Sequence, residues 1–563
     1  MADLLSNATS GLLAVQRALT TTGHNVSNAN TEGYSRQVVN LSARPPEYQG
    51  GSYIGNGTQV ASVTRRFDQF VEAQLRDATS DNSRLQFVNE FASQITGVLG
   101  DTETGIAQST QAFFNAASDV AANPTDTTAR QAYLNEASAL TDRFNQLDGR
   151  LADMNARIGM EANAISREVN VFAEEVASLN DTISKAYRQD PNALPNDLLD
   201  RRDQLVRDIA DRVNVRVVDN GTGALNLSVG TGQSLVTNDV ATQFQAINGA
   251  SGMTVKIGDN VITERVTGGR LGGMIETQNE LITPLRNELG RAAMVMAQEA
   301  NAIQTNGFDL DGNAGNPLFS TLGTFEPNVT VDARNEGNGS ASGAITDATL
   351  LEDTRYEARF DAGSNQWQVR SQDDPSTTLA TVGPAGTTSA LPGMDLTFDG
   401  TPQDGDVLYI DPAAGAAGQI GTTLSDPRDV AAAGDDGTGN SLGTRDNTQI
   451  EAMAALANER LVGQTTSGGP GQDGADALDG QTIGGALSSA VSNAGSVAAT
   501  AELQGESSQA ALDSLVARQQ SVSGVNLDEE AANLLKYQQQ YQALARTISI
   551  SGNLFQSVLN ALG

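Results

Sequence analysis

The sequence predicts an α+β multidomain protein, elongated, with N- and C-terminal α-helical, coiled-coil-like domains packed together and β-rich outer domains inserted in the middle. Three observations predict it. Apolar residues recur at heptad spacing at both ends, a long three-four helical run covers residues 140–183, and between about 213 and 420 the pattern switches to period two with Gly-rich turns. The first two periods belong to helices and the third to strands. Two similar ends around a different middle imply that the ends lie side by side and the middle projects outward.

In the first segment Leu5, Ala8, Leu12, Val15, Leu19 and Thr22 fall at alternating steps of three and four, the seam by which one helix packs on another. The last segment repeats without a miss: Leu527, Leu534, Tyr541, Ile548, Phe555 and Leu562 stand seven apart. Ala531, Gln538, Ala545, Gly552 and Leu559 occupy the other seam position. Asn526, followed by Asp528, Glu529 and Glu530, gives a side-chain cap and negative charge at the positive end of that helix, which should start near Leu527. Such a seam calls for a partner: the N-terminal helix, neighbouring copies, or both. Burying a Leu-sized side chain contributes about 1.5–3 kcal/mol, while ordering costs about 1–2 kcal/mol per residue. A helix pair alone is therefore marginal, and both ends are expected to be loose in the free monomer and ordered on assembly.

A second helical block spans about Asn82 to Arg212. Leu140, Phe144, Leu147, Leu151, Met154, Ile158, Ala162, Ile165, Val169, Phe172, Val176, Leu179 and Ile183 mark its long helix, with two consecutive steps of four at Ile158. Asn123-Pro124 breaks the block before it, Thr125 or Asp126 caps it, and Pro191 and Pro195 end it before a shorter helix over Leu198–Val213. Strands are expected at Val213–Val218, Ala224–Val229 and Met253–Val266, then a helix around Leu281–Gln304. An inserted β domain follows, with strand-like runs at Tyr356–Phe360, Trp367–Val369 and Val407–Ile410. Helical pattern returns from Asn447, interrupted by the loop Ser467–Gly480. The expected division is 1–80 with 520–563 as an inner terminal-helix domain, 81–212 with 447–519 as a helical bundle, 213–324 with 421–446 as a β-rich domain with a helix, and 325–420 as an outer β domain.

Composition narrows function. The chain has 563 residues, length for roughly three or four domains. Lys+Arg is 34 against 68 Asp+Glu, a net charge of −34, so the basic stripe that nucleic acid requires and the Lys/Arg cluster that anionic lipid attracts are both missing. No nucleic-acid or membrane partner is expected. There is no Cys and one His, His24. That leaves no thiolate metal site, no Cys nucleophile and no histidine cluster for zinc or a triad. No catalytic, cofactor-binding or metal-binding residue is assigned, and the chain is not expected to be an enzyme. Asp309, Asp311 and Asn313 open like a calcium loop, but Ala314 and Ser320 stand where Gly and Glu are needed, so an ordinary turn is expected. Asp473, Asp476 and Asp479 read as solvated linker. Gly55-Asn56-Gly57 and Gly230-Thr231-Gly232 lack the context of a phosphate loop and read as turns. The first 22 residues lack the basic and continuous apolar parts of a cleaved secretory signal.

The stretch Asn25-Val26-Ser27-Asn28-Ala29-Asn30-Thr31-Glu32-Gly33-Tyr34 resembles the signature shared by flagellar rod, hook and hook-associated proteins, and sits just after the first helix as it does there. Gly524-Val525-Asn526-Leu527-Asp528-Glu529-Glu530 before an amphipathic helix is similar to the same group. Within it, Asn196-Asp197-Leu198-Leu199-Asp200-Arg201-Arg202-Asp203-Gln204-Leu205, the stretch Gly269–Asn279 and Gly307-Phe308-Asp309-Leu310-Asp311-Gly312-Asn313 resemble the hook-associated protein 1 family. The resemblance implies a structural adaptor in a ring of identical subunits, with the hook subunit, the second hook-associated junction protein and an export chaperone as partners. It also implies an extracellular place on the flagellum, reached by type III export without a cleaved signal. The assembly interface is expected at Leu5, Leu12, Val15, Leu19, Asn25, Ser27, Asn28, Asn30, Gly33, Tyr34, Leu527, Leu534, Tyr541, Ile548, Phe555, Leu559 and Leu562.

Overall fold

A computed structural model describes residues 2–49, 51–99, 105–191, 193–230, 232–249, 252–464 and 480–562. Helix α1 (Ala2–Ser27) leads into a two-part hairpin. Strands β1 (Gln37–Ala43) and β4 (Thr58–Arg65) pair antiparallel, and beyond Pro45-Pro46 the shorter β2 (Glu47–Gln49) and β3 (Ser52–Ile54) close the tip. Five helices follow: α2 (Gln69–Leu99), α3 (Ile106–Ala122), α4 (Thr127–Gln189), α5 (Asn196–Arg212) and, after a β module, α6 (Gly269–Thr277). A π turn over Gln278–Ile282 joins α6 to α7 (Thr283–Thr305), whose second residue is Pro284. A proline without an N–H just past the junction accounts for the widened turn. The chain closes with α8 (Thr448–Ala455), α9 (Ile483–Ser523) and α10 (Leu527–Leu562).

Helix α4 runs for 63 residues, about 95 Å at the α-helical rise. The Asp126 carboxylate caps it by accepting from the Thr128 N–H at 2.8 Å. Its three-four residues face inward: Leu140, Phe144, Leu147, Ile158, Val169 and Ile183 are buried, while Phe172 and Leu179 pack partly buried against the same core. Helix α2 lies along α9 and α6, and α4 along α3 and α5, so the long middle layer needs no single large globular core. Helix α2 begins at Gln69, ahead of the expected Asn82. Asp68 caps it by accepting from the backbone of Phe70 and Val71. The expected boundaries at 80/81 and 519/520 therefore fall inside the continuous helices α2 and α9.

The β module is an antiparallel four-stranded sheet (Val215–Asp219, Leu225–Val229, Gln233–Thr237, Val240–Ala241) and a three-stranded one (Phe244–Gly249, Gly252–Ile257, Asn260–Val261). Residues 263–265 leave the strand as a 3-10 turn. Helix α7 is buried on nearly all sides, and a Cβ at Gly290 would strike the Ala413 carbonyl, so only glycine allows that approach. The outer domain packs a five-stranded antiparallel sheet (328–331, 407–411, 356–361, 366–371, 378–382) against a three-stranded one (340–345, 394–399, 387–391). Trp367, fully buried, stacks on Phe398 at 5.4 Å and meets the edge of Phe360 at 5.3 Å. Such aromatic packing gives a small domain much of its core area. Asp309 accepts from the N–H groups of Asp311 and Asn313 while Arg428 pairs with Asp311, which spends these carboxylates on a turn. Asp473, Asp476 and Asp479 lie outside the described residues.

Candidate assembly site

The last turn of α1 is tied to the first strand by one side chain. Asn25 is 1% exposed. Its amide donates to the Gln37 carbonyl at 3.0 Å, and its oxygen accepts from the Gln37 N–H at 3.0 Å and from the Tyr34 hydroxyl at 2.8 Å. An asparagine carries donor and acceptor side by side and so imitates one rung of a β ladder. The Asn28 side chain donates to the His24 carbonyl at 3.0 Å, beside its own backbone N–H at 3.1 Å, and accepts from Thr31 at 3.3 Å. Ser27 donates to the Gly23 carbonyl. Gly33 sits at φ +78°, where a Cβ would come within 2.8 Å of Gln204 Oε1 and 3.0 Å of Arg207 Nη2. Asn25 thus sets the bend and is closed to any second copy, because its polar atoms are spent inside the chain. Asn30 and Ser27 remain exposed.

The Asn196–Leu205 motif, at the start of α5, docks on this bend. The Asp200 carboxylate accepts from the Ser35 N–H at 3.0 Å, and Arg65 bridges Asp200 at 2.9 Å and Asp203 at 2.6 Å. Asp197 accepts from Gln37 at 2.7 Å and lies 3.2 Å from His24, whose ring meets the Tyr34 ring edge-on. The lone histidine therefore does have neighbours, but no nucleophile stands among those contacts. Burial lifts the Asp200 carboxyl above its ordinary range against the pull of Ser35 and Arg65. Burial, then the charges of Asp197, Asp200 and Glu530, push the Tyr34 hydroxyl up as well. From the far end of the sequence, Glu530 and Glu529 grip Arg36 at 2.7 and 3.0 Å, and the Arg36 N–H donates to the Ser523 carbonyl at 2.8 Å. Asn526 caps α10 by accepting from Asp528 and Glu529. Signature, α5 and the α9–α10 turn meet at one point.

Helices α1 and α10 pair along a seam of small residues. On α1 the buried positions are Ala8, Ser10, Gly11, Ala14, Val15, Ala18, Thr21, Thr22 and Asn25; Leu12 and Leu19 are half-buried, and Leu5 is exposed. On α10 Glu530, Tyr537, Leu544 and Ser551 are covered, a seven-residue step three places beyond one expected seam position and one place before the other, with Asn533, Thr547 and Ile548 half-covered beside them. A Cβ at Gly11 would stand 3.2 Å from the Leu544 methyl groups, so the missing side chain is what lets the two helices close. Of the expected seam, Leu527, Leu534 and Tyr541 are exposed, Phe555 is 56% exposed and Ile548 half-buried. The larger aliphatic face is left unused because the small-residue face allows closer approach. Leu559 and Leu562 lie in the last turns of α10, with side chains outside the described residues. Sequence reasoning missed Arg36, Arg65 and the Tyr537–Leu544–Ser551 face.

The comparisons with known proteins fall on these parts. A family model of the flagellar hook-associated protein FlgK helical domain matches residues 92–319, a flagellar basal body rod FlgEFG C-terminal model matches 518–561, and a flagella basal body rod model matches 5–34. The last two ranges are α10 with its lead-in and α1 with the signature. Flagellar hook-associated protein 1 of Escherichia coli is 32% identical over the whole of both chains, and that of Salmonella typhimurium 31%. The Bacillus subtilis protein of the same name is 26% identical over 99% of this chain and 98% of its own. The solved flagellar hook junction protein FlgK from Burkholderia pseudomallei shares the fold, with TM-score 0.69 at 19% identity, covering 80% of this chain and all of that one. With both terminal elements and the helical layer accounted for and the full length aligned, the chain belongs to the flagellar hook-associated protein 1 family.

Proposed function

We propose that the chain is a structural adaptor at the hook–filament junction of the bacterial flagellum, outside the cell, built into a ring of identical subunits through its terminal helices. One observation carries this reading. The apolar heptad of α10 (Leu527, Leu534, Tyr541, Phe555) stays open to solvent beside the face that pairs with the chain's own α1. An unpartnered apolar heptad on a helix already paired fits packing among copies. The partners are further copies of the chain, the hook subunit on one side and the second hook-associated junction protein on the other. An export chaperone would hold the terminal helices beforehand. On this reading residues 1–80 with 520–563 form the inner layer, 81–212 with 447–519 the helical layer, 213–324 with 421–446 and 325–420 the outward β layers. The chain acts by packing rather than by chemistry.

The test is complementation of cells lacking their own copy. Leu534→Asp with Tyr541→Asp should abolish attached filaments and swimming while the purified chain stays folded, since both residues are exposed. Normal filaments from that variant would overturn the reading.

A further inference from the structure

The hairpin of β1–β4 is the part of the inner layer with least reason to exist as a monomer feature. Among its described residues none is buried, and an isolated two-stranded hairpin is marginally stable. It leans on α1: a Cβ at Gly57 (φ +86°) would collide with Ser10, and Asn7 donates to the Gly55 carbonyl at 3.2 Å. Its tip carries a cross-strand pair, Tyr48 opposite Tyr53, with rings 5.2 Å apart. Tyr53 is 74% and Tyr48 64% exposed, and Ile54 next to Tyr53 is open as well. A cross-strand aromatic pair stiffens the tip, and it presents apolar area with a polar hydroxyl rim, the composition of a docking anchor.

Charge says what the anchor meets. Residues 36–66 hold Arg36, Arg44, Arg65 and Arg66 against Glu47 alone, 4 − 1 = +3, in a chain of net −34. Arg36 and Arg65 are spent at the bend, whereas Arg44 and Arg66 have no ion-pair partner among the described residues. With Arg36 and Arg65 neutralised at the bend, the arm still offers Arg44 and Arg66 against Glu47, 2 − 1 = +1, which is complementary to another copy of a chain of net −34. Asn7, which holds Gly55 next to the tip, stands one turn or less from the exposed Leu4 and Leu5 of α1, in the inner layer that the assembly reading uses.

We propose that the hairpin is a second, lateral docking arm, whose Tyr48–Tyr53–Ile54 tip and Arg44 seat on the acidic surface of a neighbouring copy of this chain. The proposal rests on the assembly reading and adds a contact outside the terminal helices. The test places a photo-reactive phenylalanine analogue at Tyr53, or separately at Tyr541, in the full chain assembled on flagella. The expected result is a Tyr53 crosslink between two copies of this chain, with yield about fivefold lower in Arg44→Glu, as loss of a rim charge pair implies. A Tyr541 crosslink without a Tyr53 crosslink overturns the arm and leaves the assembly reading standing. Crosslinking of Tyr53 to lipid, or to a protein other than this chain, overturns the arm as well. Silence at both positions defeats both.

Discussion

Arg36 and Glu530 are bound at 2.7 Å across 494 positions of sequence, and they close the chain into a loop whose two ends share one anchor. Glu530 is 2% exposed, and Glu529 shares the same guanidinium. Helix α10 is therefore positioned by its first turn, and the rest of it follows along α1.

Replacing Arg36 with Ala leaves Glu530 buried without its cation. Arg36 is itself partly open to solvent, so the cost should be of the order of 2–4 kcal/mol, at or below the range for a fully buried pair. The loss should be local, because α4 and the β layers make no use of this anchor. Amide hydrogen exchange should speed up in α10 and the Asn25–Tyr34 bend and stay unchanged in α4. Uniform acceleration across the chain would show that the anchor stabilises more than the terminal pair.

The bend makes a second separation of roles. Tyr34→Phe removes a single hydrogen bond to Asn25 Oδ1, and the Gln37 N–H still fills that oxygen, so the expected cost is about 1 kcal/mol. Gly33→Ala acts differently. It forces an alanine to φ +78° and drives a methyl group toward Gln204 and Arg207, the latter paired with Glu72. A cost of about 1–3 kcal/mol for a non-Gly residue held there should appear as protease sensitivity at residues 28–36, absent from Tyr34→Phe.

How far these elements were legible depends on the range of the interactions that make them. The α4 stripe and the caps at Asp126 and Asn526 are written within a few residues and could be read directly. So could the change of period beyond Val213. The hairpin could not, because none of its described residues is buried and burial is what produces a clear alternation. The face of α10 that pairs with α1 escaped the sequence reading because the members of the pair's seam, Gly11, Ala18, Leu544 and Ser551, are mostly small. A louder set of large residues at Leu527, Leu534 and Tyr541 lay beside them. The anchor pairs Arg65–Asp200 and Arg36–Glu530 have no local signal at all. The Asp68 cap was local, and a stricter search for caps would have found the start of α2.

The single tryptophan gives an optical report on the outer β domain alone. Burial would lift the Asp332 carboxyl, but the Arg334 guanidinium and N–H and the Tyr409 hydroxyl outweigh it and hold it below the usual range. A depressed folded-state value contributes stability above the unfolded value, about 3.9 for Asp, and that contribution is lost as pH falls through the folded value. Urea midpoints followed by Trp367 fluorescence should therefore drop steeply below about pH 4. Asp332→Asn should flatten that drop. At the domain's root Glu288 is raised by burial; its contribution has the opposite sign and is lost as pH rises, so the two are separable by the variant.

The terminal pair decides between a preformed and an assembly-formed inner layer. Its seam is built largely from Ala8, Gly11, Ala14, Ala18 and Ser551, which bury little apolar area each, while of the larger aliphatics Val15 is buried and Leu12, Leu19, Leu544 and Ile548 are only half-buried. At about 25 cal/mol per Å² such a seam falls short of the ordering cost of two helices of 26 and 36 residues. The Arg36 anchor holds one end of α10, and the opposite end has the exposed Leu554, Phe555 and Val558. In the purified monomer, hydrogen exchange should thus be graded: slowest near Glu530, faster through Leu544, fastest past Ser551, and fast in the paired first half of α1. Leu544→Ala should extend the fast zone toward Tyr537. Strong, even protection along both helices would mean that the pair is stable before assembly, and ordering of the ends could then contribute nothing to the coupling between subunits.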